Sequence, residues 1–378
     1  MKIILLNFHH YFLQFSFKSG SISCITNRQS FRMNLMKYHL PQLKVAARLL
    51  PIITISILSQ GILNMVTAAE KAIIAHRGAS GYLPEHTLEG VAMSHAFGVD
   101  YIEQDLVLTK DRVPIVLHDI ELEPVTDVAK TFPDRRRPDG KFYAIDFTLA
   151  EIKQLKLHER KDLKTGEQAF PNRFPLTSGK FQIPTLEEEL QLIAGLNKSR
   201  GKKIGIYPEI KSPSFHRAEG ADISAIVIKT LAQYGFRTKS DNCIMQCFDW
   251  QELQEIRELG YEGRLVFLVG GKARLDHPEP VEFSLETMKK IASVADGIGP
   301  AYSLVLSKQA DGSWQKSEFI ARAHEAGLVV HPYTIRADVP MGAVKDPSEM
   351  FRLVLEEAGA DGVFTDHPDL GVKWKSGR

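Results

Sequence analysis

The chain has 378 residues, 44% hydrophobic and 25% charged, the balance of a soluble globular protein with room for one large domain or two ordinary ones. Its formal charge of +1 hides an asymmetry: residues 1–69 carry seven Lys or Arg and no acidic residue, leaving 40 basic against 46 acidic side chains, a net of −6, in the rest. Such an acidic body, whose one basic run Arg135-Arg136-Arg137 reads as a solvated loop, offers no footing for general nucleic-acid binding.

At the amino end, Lys44 and Arg48 precede the apolar stretch from Leu49 to Met65, which closes on the small-residue pattern Val66-Thr67-Ala68. This predicts a leader over 1–69, with a signal peptide over about 33–69 cleaved after Ala68 or Ala69. A retained anchor is the alternative, against which Pro51, Gln60, Gly61 and Asn64 argue. Met33 or Met36 would start a leader of ordinary length. Cleavage leaves no stable membrane insertion and a periplasmic or secreted protein. Cys24 falls in the leader; Cys243 and Cys247, four apart in one predicted strand, are too distant to bridge.

From residue 71, short apolar runs alternate with amphipathic ones. Strands are predicted at Lys71–His76, Tyr101–Leu108, Val113–His118, Lys203–Ile210, Asn242–Phe248, Arg264–Val269, Gly297–Pro300, Leu328–Thr334 and Gly362–Thr365. Helices are predicted at Thr87–Phe97, Leu186–Leu196, Ile223–Tyr234, Trp250–Leu259, Leu285–Val294, Ser317–Ala326 and Ser348–Ala358. Several close at glycines placed for a left-handed cap: Gly98, Gly235, Gly260, Gly327 and Gly359. The repeat favours a TIM-type (β/α)8 barrel over residues 70–378, and no glycine-rich nucleotide motif opens a helix. Nine strands for eight places, with too few residues between Leu108 and Val113 for a crossover, predict a hairpin turning at Lys110-Asp111-Arg112. That hairpin brings His118 opposite Glu103 or Gln104. Residues from about 120 to 183, rich in charge and Pro with one helical patch at Leu149–Leu157, then break the rhythm as an insertion after the third strand at the barrel mouth.

The chemistry-bearing residues gather at strand ends. Glu103 and Asp105 face the same way from one strand, and Glu209 adds a carboxylate from another. Three convergent carboxylates without cysteine or paired histidine ligands suit a hard divalent cation, Ca²⁺ or Mg²⁺. His76 and His118 each end an apolar strand beside these carboxylates and can act as a base and an acid in one turnover. Arg77 and Lys211 supply fixed positive charge suited to phosphate oxygens, the plain alternative for each being a surface ion pair, which for Lys211 could form with Glu209 on its own face. Gln246, Phe248, Tyr302 and Tyr333 are candidate lining residues, with Asp249, His331 and Asp366 as weaker polar candidates. The run Glu187-Glu188-Glu189 reads as helix capping and solvation.

These residues fall in an ordered set: His76-Arg77-Gly78-Ala79-Ser80-Gly81, Pro84-Glu85-His86-Thr87, Glu103-x-Asp105, His118-Asp119, Glu209-Ile210-Lys211 and Phe364-Thr365-Asp366. The set resembles the glycerophosphodiester phosphodiesterases from about Lys71 to Lys375, and the insertion looks like that of their bacterial periplasmic branch. The resemblance implies a barrel enzyme that hydrolyses glycerophosphocholine, glycerophosphoethanolamine and similar small molecules to sn-glycerol 3-phosphate and an alcohol. It further implies Glu103, Asp105 and Glu209 on a metal, Ca²⁺ in this branch, with His76 and His118 as the acid/base pair and Arg77 and Lys211 on the phosphate. Two departures from the family pattern, His86 where many members carry Asn and Tyr333-Thr334 in the penultimate strand, bear on the contacts to the alcohol. A phospholipase of the sphingomyelinase D or phosphoinositide phospholipase C type on a similar barrel is the nearest rival reading, and the charged insertion argues against its apolar rim. A binding protein that has kept the barrel without turnover would be expected to lack a catalytic residue, and none is lost.

Overall fold

The described residues of the computed structural model are 3–8, 11–18, 21–26 and 29–34, as backbone strands, and 71–377 apart from 276–279 and 343. The chain divides into Met1–Ala68 and Ala69–Arg378. In the first unit, Ile3–Phe8, Tyr11–Lys18, Ser21–Thr26 and Gln29–Asn34 pair as an antiparallel meander in chain order. The apolar stretch from Leu49 and the expected cleavage site lie outside the described residues. Among the described residues no helix is long and apolar enough to cross a membrane.

In the second unit the apolar runs become strands, all but the two-residue β8 buried along most of their length: β1 Ala72–Ala75, β2 Tyr101–Leu108, β3 Pro114–Val116, β4 Gly205–Ile210, β5 Ile244–Cys247, β6 Arg264–Val269, β7 Gly297–Pro300, β8 Val329–Val330 and β9 Gly362–Thr365. All but β3 run parallel, in the order β8-β7-β6-β5-β4-β2-β1-β9. The ring closes because the backbone after β8 bonds to β9, with Asp361 N–H on Val330 O at 2.9 Å, Phe364 N–H on Pro332 O at 3.0 Å and Ile335 N–H on Phe364 O at 2.9 Å. This is a TIM-type barrel. Strand β8 is shorter than its apolar pattern predicts, since Pro332 has no N–H to donate, yet Tyr333 N–H still bonds Pro300 O at 3.0 Å.

Helices α1 Leu88–Phe97, α2 Leu186–Arg200, α3 Ile223–Gln233, α4 Trp250–Glu258, α5 Leu285–Ala292, α6 Phe319–Glu325, α7 Pro347–Arg352 and α8 Pro368–Ser376 follow the strands. Gly98 ends α1 at φ 83°, in the left-handed region an L side chain disfavours. The last predicted helix splits, α7 giving way to a π-helical turn over Leu353–Glu357.

The antiparallel β3 is the expected hairpin arm: Val116 pairs with Leu106, and Leu117 N–H donates to Asp105 O at 2.8 Å, so the same register carries His118 towards Gln104. Residues 120–183 pack on this hairpin around a core of their own that includes Leu122, Val125, Phe142, Phe147, Leu157 and Phe181. The predicted helical patch is only one turn, Leu149–Ile152, closed at its start by a Thr148–Glu151 capping box. Beyond it the chain extends, because Leu157 bridges to both Thr126 and Phe181. Nor is the basic triplet a free loop. Arg135 lies over Phe147 and pairs with Glu151, while Arg137 pairs with Asp146 and Glu219.

Candidate active site

His76 follows β1, and its Nδ1 lies 2.5 Å from Asp366 Oδ1 beyond the end of β9. A carboxylate only accepts, so Nδ1 carries the proton and Nε2 keeps its lone pair. Burial pushes the His76 imidazole down to about 4 against the pull of Asp366. Asp366 itself would rise on burial, but His76, Arg336 and Arg173 hold it well below the carboxylate range. Arg173 Nη2 stands 2.7 Å and Arg336 Nε 2.8 Å from its Oδ2.

Arg77 sits at φ 58°, a left-handed turn that points its N–H at Glu103 Oε2, 2.6 Å away. Its Nε lies 3.4 Å from Asp105 Oδ2 and its Nη1 3.2 Å from Glu85. The alternation of β2 aims Glu103 and Asp105 to one side, with both side chains buried, while Gln104 turns its amide back onto Ile102 O at 3.0 Å. On the adjacent strand β4, Asp105 registers with Glu209. Lys211 Nζ reaches Glu209 Oε1 at 2.7 Å and Asp105 Oδ1 at 3.5 Å.

Three buried acids this close cannot all stay ionised without compensating charge. Burial pushes Glu103 well above its ordinary value, reinforced by Asp105, and pushes Glu209 up to about 7 against Lys211. Burial also opposes ionisation of Asp105, but Lys211 and His118 hold it well below the carboxylate range. Asp105 Oδ1 is buried without a hydrogen-bond donor. A buried carboxylate oxygen with no hydrogen bond and only the Lys211 charge at 3.5 Å, amid raised acids, belongs to a donor set that fits a hard cation. Ligand atoms of His86, Glu103 and Asp105 all lie within 4.8 Å of one another, so His86 belongs to the acidic cluster. His86 Nε2 bonds Asp105 Oδ2 at 2.8 Å, while its Nδ1 is buried and unpartnered.

His118 leaves the hairpin with Nδ1 2.9 Å from Asp119 Oδ1, which again frees Nε2. Burial and the charge of Arg77 lower its imidazole. Asp119 would rise on burial, but His118 and Arg160 bring it down to about 2. His76, Arg77, Glu103, Asp105, His118, Glu209 and Lys211 converge on one cavity of about 200 Å³. Gln246, Phe248 and Tyr333 line it too; Tyr302 is not among the lining residues. Phe248 is 47% exposed at the rim, its ring 5.7 Å from that of Tyr333.

Other candidates serve the scaffold. Asp249 caps α4, accepting from Glu252 N–H, and His331 is buried against the Tyr207 hydroxyl at 3.0 Å. Within the acidic run, Glu188 completes a capping box with Thr185, but Glu189 is fully buried and raised well above the carboxylate range, which corrects its reading as solvated. Sequence reasoning gives no role to Glu85, Arg160, Arg173 or Arg336. Glu85 and Asp119 stand within the quoted motifs without a role assigned to them, whereas the arginines carry no pattern a strand or helix would impose.

The profile of the glycerophosphoryl diester phosphodiesterase family matches residues 76–370. The chain is 41% identical over 343 residues to a glycerophosphodiester phosphodiesterase of Haemophilus influenzae, covering 84% of this chain and 93% of that protein. It is 39% identical over 330 residues to one of Treponema pallidum, covering 81% and 92%. Among solved structures, a putative glycerophosphoryl diester phosphodiesterase of Silicibacter pomeroyi superposes with a TM-score of 0.62 at 27% identity, covering 82% of this chain and 94% of that one. A phosphodiesterase of Oleispira antarctica, solved with the product sn-glycerol-3-phosphate, shares the fold with a TM-score of 0.56 at 21% identity, covering 81% and 97%. The chain belongs to the glycerophosphoryl diester phosphodiesterase family and is an enzyme of that family.

Proposed function

We propose that the enzyme hydrolyses glycerophosphodiesters such as glycerophosphocholine and glycerophosphoethanolamine to sn-glycerol 3-phosphate and an alcohol, by two-histidine acid/base catalysis. The observation that carries this reading is the pairing of His76 and His118: each has Nδ1 bound to an aspartate, and both line the cavity that holds Arg77, Lys211 and the acidic cluster. The activity named for the two bacterial relatives agrees with it.

Glu103, Asp105 and Glu209 hold a divalent cation in this reading, Ca²⁺ in preference to Mg²⁺, with His86 bracing Asp105. When bound, the cation supplies Lewis-acid charge to a phosphate oxygen. Arg77 and Lys211 bind and orient the phosphate, and their charges stabilise the negative oxygens as bonds rearrange. His76, kept neutral by burial, takes the proton of the glycerol hydroxyl next to the phosphate through Nε2. That oxygen attacks phosphorus, the bond to the alcohol oxygen breaks, and His118, which enters as the imidazolium with Nδ1–H on Asp119, gives its Nε2 proton to the departing alcohol. A cyclic phosphate results. In the second half, His118 takes a proton from water as it attacks phosphorus, and His76 returns its proton to the ring oxygen as that bond opens.

The leader reading places the working enzyme in the periplasm or outside the cell. The decisive experiment follows sn-glycerol 3-phosphate release from glycerophosphocholine by the purified protein, with EDTA and after restoring Ca²⁺ or Mg²⁺, beside His76→Ala. Cation-dependent release that is lost in the variant supports the reading; release unaffected by EDTA overturns the cation, and none under any condition overturns the activity. A substrate lacking the neighbouring hydroxyl should resist, and its fast hydrolysis would exclude the cyclic route.

A further inference from the structure

The two site histidines stand on different supports, one just past a barrel strand and one just past the hairpin arm, yet the segment 120–183 reaches both. Arg160 places Nη2 2.6 Å from Glu85 Oε1, Nε 2.9 Å from Glu85 Oε2, and Nη2 again 2.8 Å from Asp119 Oδ2. Asp119 accepts from His118, and Glu85 receives Arg77. One guanidinium therefore ties His118 to the phosphate-facing arginine. Arg173 makes the matching reach on the other side. Its Nη2 stands 2.7 Å from Asp366 Oδ2, whose other oxygen takes the proton of His76.

Neither arginine is loosely held. Arg173 is forked onto Asp338 at 2.8 and 3.1 Å, donates to Ser80 O at 3.2 Å, and lies 3.7 Å from the ring centre of Phe170. Both line a second cavity of about 210 Å³ that His76 and His118 share. If its only task were to pin the segment, Asp338 alone would anchor Arg173. Its second contact, to the aspartate beneath His76, has a chemical meaning. An aspartate fixes an imidazole tautomer only while it stays ionised and aimed, and a guanidinium across its free oxygen does both.

We propose that the segment braces the proton-transfer pair: Arg160 and Arg173 are positioning residues that hold Asp119 and Asp366 against Nδ1 of His118 and His76, leaving each Nε2 as the working nitrogen. The proposal rests on the acid/base reading of the two histidines.

Histidine ¹⁵N spectra of the full chain, recorded without substrate, test the brace apart from turnover. At a pH where both rings are neutral, the unsubstituted protein should show the Nδ1-protonated tautomer at His76 and His118. Arg173→Gln, made in an Arg336→Gln background because Arg336 Nε also lies 2.8 Å from Asp366 Oδ2, should mix tautomers at His76 beyond that background, and Arg160→Gln should mix them at His118, with kcat falling about 10²-fold while KM changes by less than about threefold. Arg173→Lys, which keeps a charge opposite Asp366, should restore the His76 tautomer and most of kcat. Unmixed tautomers in both Gln variants, with only the melting temperature lowered, overturn the proposal, as does mixing with kcat intact. Turnover that survives His76→Ala and His118→Ala would defeat the acid/base reading instead, and the tautomer spectra would stand unaffected by it.

Discussion

Lys211 Nζ lies 2.7 Å from Glu209 Oε1, two residues back on the same side of the chain, and 3.5 Å from Asp105 Oδ1. The lysine thus shares two carboxylates with the cation we propose, and like charges on one anion compete. Lys211→Met should therefore tighten cation binding in the absence of substrate while lowering kcat by about 10²–10³-fold through loss of a charge on the phosphate. Calorimetric titration with Ca²⁺ beside steady-state kinetics checks both signs; weaker Ca²⁺ binding would mean that Lys211 organises the carboxylates.

The raised acids predict how protons and cation compete. Burial pushes Glu209 up to about 7 and Glu103 in the same direction, so both hold protons that a cation must displace. Ca²⁺ affinity should rise with pH through about 7, with proton release on binding. Without cation, a carboxyl whose folded value exceeds its unfolded one contributes stability that is complete below about 4.5 and lost as pH rises through about 7. Melting temperatures in EDTA should fall across that window and recover with Ca²⁺. Glu209→Gln should flatten the fall.

His76 has the opposite sign. Burial brings it down to about 4, so it is neutral, and fit to act as a base, well below the ordinary histidine range. Protonation of the cation-binding acids, not of His76, should set the acid limb of turnover. Raising Ca²⁺ should move that limb to lower pH, whereas a limb indifferent to Ca²⁺ would return it to a histidine.

His86 combines a left-handed backbone, φ 61°, with a buried bond to Asp105. Asn tolerates that backbone and offers an amide donor, whereas Ala suits neither. His86→Asn should stay folded and active; His86→Ala should cost about 1–3 kcal/mol in chemical denaturation, as a buried acceptor loses its donor.

Much of this was legible before any coordinate. The short apolar runs located the parallel strands, because burial on both faces leaves a continuous apolar signal, and the closing glycines located the ends of several helices. Glu103 and Asp105 could be placed on one face since β-strand alternation is rigid, with Glu209 offered from another strand. His118 came within reach only because the four residues between Leu108 and Val113 are too few for a crossover helix. What escaped were groups fixed by tertiary contact alone. Arg160 and Arg173 lie in irregular chain, where no period predicts direction, and Glu189 looks solvated until its helix face is known. Tyr302, read as lining, follows β7 at a strand end but is not among the residues that line the cavity.

The hairpin arm has a last consequence. His76 and the carboxylates ride on strands closed into a ring, whereas His118 is borne by a flap of chain stitched to the smaller core that includes Leu122, Phe142 and Phe181. Heat need not melt the ring to silence the enzyme; it need only loosen the flap. Loss of turnover should then run ahead of loss of secondary structure, and regaining it on cooling would require only that the flap settle again.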